Sequence, residues 1–186
     1  MKYLVVCFMF LLVSCSGTPA GIPAIDDFNL DRYLGDWYEI ARLDHSFEKG
    51  LTNVKANYSL NSDGSVKVIN TGFSVEGETW KEAVGKAYFV DEKSKGHLKV
   101  SFFGPFYGAY VIFKLDKNYQ YAFITGYNRN YLWLLSRTPS VTEAVKAEFI
   151  NTVEELGFDT DEIIFVQQDL SDGAGQRMSS AAPFRR

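Results

Sequence analysis

The sequence predicts an all-β chain: an eight-stranded antiparallel up-and-down β-barrel, with one C-terminal α-helix packed outside it and a short ninth strand. Three observations carry this. Segments rich in Val, Ile, Tyr and Phe alternate with polar residues from about residue 36 to 137. Asn, Asp and Gly cut them at short intervals that leave no room for a crossover helix, so neighbours must pair antiparallel. Eight such strands can close on themselves and abolish their exposed edges. With 186 residues, 46% of them apolar and 16% aromatic, the chain is large enough to bury the core of one such domain.

Taken in order, strands are predicted near 36–43, 52–60, 65–72, 82–90, 97–103, 109–115, 119–126 and 131–137. Asn61-Ser62-Asp63-Gly64 and Asp116-Lys117-Asn118 read as tight hairpin turns, while 44–51 and 73–81 are longer loops. One long helix is credible. Ser140-Val141-Thr142-Glu143 reads as a capping box after Pro139, and Val141, Val145, Phe149, Val153 and Leu156 recur every three or four residues before Gly157 stops them. That stripe must bury against the outside of the barrel. Ile163-Ile164-Phe165-Val166 then adds a last strand beside the first.

The ends read differently from the middle. Residues 1–14 carry one charge, Lys2, and an apolar run from Tyr3 to Val13, too short to span a bilayer and of the form of a secretory signal peptide. Leu12-Val13-Ser14-Cys15 resembles the bacterial lipobox, which implies cleavage after Ser14 and diacylglycerol on Cys15; an ordinary signal with a chance Cys is the plainer alternative. By resemblance to lipoprotein sorting rules, Ser16 directs the product to the outer membrane, lipid-anchored and facing the periplasm. Residues 15–24 are then a lipidated Cys and flexible tether, 25–170 the barrel domain, and 171–186 a disordered tail with too few large apolar groups to offset ordering entropy.

Composition narrows the function. The 19 basic against 23 acidic groups give a formal charge of −4, which offers no cationic field for a nucleic acid. Two Cys and two His in the whole chain nearly exclude Cys/His zinc sites and Cys–His catalytic pairs, and no cofactor or metal is expected. Strand alternation points Val54, Ala56, Tyr58 and Leu60 inward, then Val66, Val68 and Asn70, then Ala87 and Phe89, then Leu98, Val100 and Phe102. Glu39 joins them on the first strand. Such walls suit an acyl chain, although a barrel of this strand number can also be filled by its own side chains. At the rim Phe103, Phe106 and Tyr107 bring aromatics, and Tyr107 with Trp133 can flank an entering chain or act instead as surface anchors. Arg42, His45, Lys49 and Arg129 are candidates to meet a carboxylate or phosphate there.

Specific residues resemble a family. Gly35-Asp36-Trp37-Tyr38 is similar to the lipocalin Gly-x-Trp signature on the first strand, Asp116 and Tyr119 to its D-x-x-Y turn, and Arg137 to its third element. Further stretches resemble the bacterial lipocalins of the outer-membrane lipoprotein type: Trp37 to Arg42, Lys99 to Gly108, Tyr131-Leu132-Trp133, and Ser136 to Pro139. The likeness runs from about Phe28 to Gln168, and the tail beyond Asp169 departs from it. The resemblance implies that Trp37 and Arg137 form a structural pair plugging the closed end; contact of Trp37 with ligand is the competing role. It further implies a protein that stores, transports or scavenges fatty acids such as palmitate, or lysophospholipids, with no catalytic residue. The partners are then that lipid and the outer membrane through acyl chains, with no nucleic acid and a homodimer left open. The alternatives are a barrel enzyme acting on a lipid or polyene, with Glu39 as its acid or base, and a structural barrel without ligand.

Overall fold

The computed structural model describes residues 17–169 and the two-residue strand 182–183. Cys15, the signal segment and most of the 171–186 tail lie outside the described residues.

Eight strands close a barrel: β1 (Gly35–Leu43), β2 (Leu51–Leu60), β3 (Val66–Ser74), β4 (Thr79–Phe89), β5 (His97–Ser101), β6 (Gly108–Leu115), β7 (Tyr121–Thr125) and β8 (Leu132–Ser136). Each pairs antiparallel with the next, and β8 returns to β1. The seventh strand starts later than its sequence suggests because Tyr119, at φ 61°, still belongs to the turn, where the Asp116 carboxylate accepts from the N–H groups of Asn118 and Gln120.

A β-bulge interrupts β1 between Glu39 and Ala41. Below it Trp37 and Glu39 face the interior; above it the alternation shifts by one, so that Arg42 also turns inward while Ile40, Ala41 and Leu43 join an outer core. That outer core lies under α2 (Glu143–Glu155), whose Phe149 and Val153 are fully buried against Phe123, Leu132 and Leu134. The helix is capped by Thr142, which accepts from the Val145 N–H, and not by the expected Ser140; the Ser140 carbonyl instead accepts from the Thr138 hydroxyl, so the chain turns once more before the helix starts. Gly157, at φ 78°, ends it. After a short 3-10 turn at Thr160–Glu162, β9 (Ile163–Phe165) pairs with Ala41–Leu43 of β1, on the edge that β2 leaves after Tyr38. Gln168 donates to the carbonyls of both Glu39 and Val54, bridging the gap between β1 and β2.

One expectation about the ends needs correction. The segment from Gly17 is packed along the barrel rather than a free tether: Arg129 holds the Ala20 carbonyl at 2.7 Å, Ile22 is buried, Ile25 bonds Ile112 and Gly96, and Phe28 N–H donates to Ser94. Ile22 accounts for this, since an exposed Ile beside the outer core would forgo its burial. In the tail, Ala182–Pro183 forms β10, parallel to β4 opposite Lys81 and Glu82. β5 pairs with β4 only from Lys86 onward, which leaves that stretch of β4 an unpaired edge.

Candidate functional site

The N-terminal segment ends in α1 (Leu30–Tyr33), which lies across one end of the barrel. Here Arg137 stacks on Trp37, its guanidinium carbon 3.9 Å from the ring centroid, and donates to the carbonyls of Asp36, Arg32 and Tyr119. The Trp37 indole donates to the Tyr33 carbonyl at 2.8 Å, and the Tyr119 hydroxyl accepts from the Asn29 N–H. Every strong donor of this plug ends on an oxygen, mostly backbone. Tyr33 stacks between Trp37 and the space above, so Trp37 does not reach the interior cavity.

Above the plug a cavity of about 530 Å³ opens toward the loops 44–50, 102–107 and 126–131. Its walls include Val54, Ala56, Tyr58, Val66, Val68, Leu98, Val100 and Phe102, as strand alternation anticipates, with Tyr107 and Trp133 nearer the rim. Phe89 does not join them. It packs on Phe28, ring centroids 6.1 Å apart, because the N-terminal segment fills the barrel's lower end. Leu60, also expected inside, is 54% exposed, since β2 has passed below the plug by then and turns at Asn61.

Besides Asn70 and Thr71, two polar clusters break the apolar lining. At the floor the hydroxyls of Tyr33 and Tyr58 each meet that of Tyr110, at 2.7 and 2.9 Å. The three form a short chain centred on Tyr110, and burial pushes all three phenols up. On the upper wall Glu39, Arg42 and Glu48 meet. Arg42 Nη1 donates to Glu39 Oε1 at 2.8 Å and Nη2 to the Glu48 carbonyl at 2.9 Å, while Glu48 Oε2 accepts from the Trp133 indole at 3.0 Å. The two carboxyls also hydrogen-bond to each other. Burial first, and then the Glu48 charge, raise the Glu39 carboxyl well above its usual range against the pull of Arg42. Burial raises Glu48 too, opposed by the Trp133 bond and Arg42. One cation thus lies beside two buried carboxyls, and burial holds both above their usual range.

Glu48 arrives in the β1–β2 loop, which folds over the wall. His45 in that loop stacks on Phe47 and Tyr131, centroids 5.2 and 4.9 Å away, and contacts Trp133. Burial and then the nearby Arg42 charge lower its imidazole to about 4, so it is neutral near pH 7. Of the four rim residues expected to meet an anion, Arg42 and His45 are buried, Arg129 is engaged with Leu156 and Ala20, and Lys49 lies 3.9 Å from Asp44. No group of His, Cys, Asp and Glu suited to a metal ion occurs among the described residues.

A lipocalin-like domain family matches residues 28–168 of the chain. The chain belongs to the lipocalin family. It is 54% identical over 167 residues to outer membrane lipoprotein Blc of Vibrio cholerae, covering 89% of this chain and 97% of that relative. With outer membrane lipoprotein Blc of Escherichia coli K12 it shares 48% over 161 residues, 86% of this chain and 91% of the other. Among solved structures, insecticyanin from the tobacco hornworm Manduca sexta superposes with a TM-score of 0.67 at 19% identity, over 90% of this chain and 93% of that one, a likeness of fold. This lipocalin is therefore an outer-membrane lipoprotein and a binding protein for a hydrophobic ligand, not an enzyme.

Proposed function

We propose that this lipocalin carries single-chain lipids, fatty acids or lysophospholipids, tail-first in the barrel, and is held at the outer membrane by acyl chains on Cys15. The observation that supports the ligand is the cavity: about 530 Å³, walled by aliphatic and aromatic side chains and open at one end. That size falls within the ~300–1,000 Å³ of small-molecule sites. Each methylene buried there contributes ~0.8 kcal/mol, so eight give ~6 kcal/mol before association costs. Tail-first entry follows from the wall chemistry. Among the described residues no Lys or Arg lines the cavity, and Arg42, buried behind its upper wall, is engaged by Glu39 and Glu48, so a ligand carboxylate or phosphate gains nothing by descending past them.

Ala83 lies on the cavity wall without being fully buried, so Ala83→Trp narrows the cavity without overpacking the core. Titration of delipidated protein with lysophospholipid and fatty acid, below their micelle-forming concentrations, should give saturable binding that Ala83→Trp weakens by about tenfold, roughly 1.4 kcal/mol, with little change in melting temperature. No binding by the parent means that the barrel is packed shut and the carrier reading fails.

A further inference from the structure

We propose that the cavity mouth is a membrane-docking face, pressed against the bilayer that holds the Cys15 anchor, so that the barrel stands mouth-down on the lipid surface. The inference rests on the acylation of Cys15 proposed above and adds an orientation and a contact surface.

Two independent observations point to it. The first is where the chain leaves the fold. Arg129, in the loop between β7 and β8 at the mouth end, holds the Ala20 carbonyl at 2.7 Å and the Leu156 carbonyl at 2.6 Å. From Ala20 the chain runs down the barrel to α1 under the opposite end, so its exit is at the mouth. Cys15 is five residues from Ala20 and therefore within about 18 Å of it, even fully extended. β2, with ten residues, is ~34 Å long, and a strand tilt of ~40° leaves ~26 Å of barrel height. The tether cannot reach from the mouth to a membrane beneath the plug. The anchor itself selects the mouth end.

The second observation is what the mouth presents. Each of the four loops at that end bears an exposed large apolar side chain: Phe47, Val75, Phe103 with Phe106, and Tyr127, with Phe106 exposed to 80%. A folded protein that spends aromatic surface on water around a cavity entrance has a partner for it. The loop charges favour neither an anionic nor a cationic partner. Arg129 is engaged, Lys49 lies near Asp44, and the remaining acids of the turn between β3 and β4, Glu76 and Glu78, are exposed. Apolar insertion at the headgroup level, not charge, is the contact this rim supports. A lipid then leaves the bilayer directly into the cavity without crossing water.

The acylated protein in phosphatidylcholine vesicles tests this with two nitroxide labels, one attached through Phe106→Cys and one through Ser62→Cys in the turn at the plug end. Collisional access to oxygen and to a water-soluble nickel chelate should place the first label within the bilayer interface and the second in water. A label at 106 as open to the nickel chelate as that at 62 overturns the docking face. A second measurement does not depend on acylation: vesicle partition of the Cys15→Ser protein should fall by tenfold or more when Phe103→Ser and Phe106→Ser are added. Raising NaCl from about 0.05 to about 0.5 M should change partition less than about twofold. Unchanged partition in the rim variants, or strong salt dependence, also overturns the proposal. The readings fail separately. Absence of an acyl group on the parent sinks the anchor alone and leaves the partition result to judge the face, and failure of lysophospholipid to saturate the parent sinks the cavity reading alone.

Discussion

One buried or half-buried arginine organises each end of the barrel, Arg137 at the plug and Arg42 near the mouth, and the two act in opposite ways. Arg137 at the plug lies over Trp37 and sends its donors to three backbone carbonyls, with part of its surface in water. Arg42 near the mouth is 2% exposed and faces two buried carboxyls, both raised by their burial. Backbone carbonyls carry no net charge and keep their partial solvation when a donor is lost. Buried carboxyls do neither. The plug is therefore a robust closure, whereas the mouth wall is a charge balance sensitive to any change in its parts.

The largest effect should come from unbalancing that wall. Arg42→Met leaves two buried carboxyls without a cation and should cost about 3–5 kcal/mol near pH 7. Arg137→Met should cost less, about 1.5–3 kcal/mol, because the freed carbonyls can take water. Denaturant midpoints of the two variants measure the difference directly. Protonation is an escape open only to the first, so its penalty should shrink toward pH 4.5 while that of Arg137→Met stays level. Equal, pH-independent losses would remove the contrast between the ends.

A smaller effect isolates the Glu39 carboxyl. Glu39 is raised in the folded state above the ordinary 4.5, so it contributes stability that is complete below 4.5 and is lost as pH rises through its folded value. Glu39→Gln keeps the donor to Glu48 and the acceptor for Arg42 without the titration. Its melting temperature should match that of the parent in acid and exceed it by a growing margin as pH rises from about 4.5.

His45 shows the reverse slope and the smallest change. Its imidazole is depressed from 6.5 to about 4, so the stability it confers is present above 6.5 and is lost as pH falls toward 4. His45→Phe retains the stacking on Phe47 and Tyr131 and should flatten the thermal profile over that window alone. An unchanged acid limb would mean that the loop does not bury this ring in solution.

Much of this was legible in the residues because period-two patterning states which side chains face inward wherever a strand is regular. Val54 to Tyr58, Val66 to Asn70 and Leu98 to Phe102 all line the cavity on that rule alone. The rule fails where tertiary neighbours decide. Phe89 obeys the alternation but is covered by Phe28, a residue some sixty positions away in the chain. Glu48 sits in a loop, which has no period, and nothing local marks it as folding inward against Glu39. Tyr110 was equally hidden, since its role depends on Tyr33 and Tyr58 converging on its hydroxyl. Ile22 was the one available signal at the N-terminus: a lone large aliphatic in a Gly- and Pro-rich stretch that proves to be a packing point.

The bulge in β1 has a consequence for how the chain can vary. It acts as a dislocation in an otherwise regular lattice: a single inserted residue shifts the phase of everything on its mouth side. In an unbroken strand Glu39 would share its face with Ala41 and Leu43, and Arg42 would be driven outward beneath α2, a guanidinium in an apolar layer. Glu39 would then lose its counter-charge. Replacing Ile40 by another aliphatic residue alters only local packing, and deleting it would remove the bulge and leave Glu39 and Arg42 on the inner face in regular alternation. At this spacing of Glu39 and Arg42 the bulge is what brings both to the inner face.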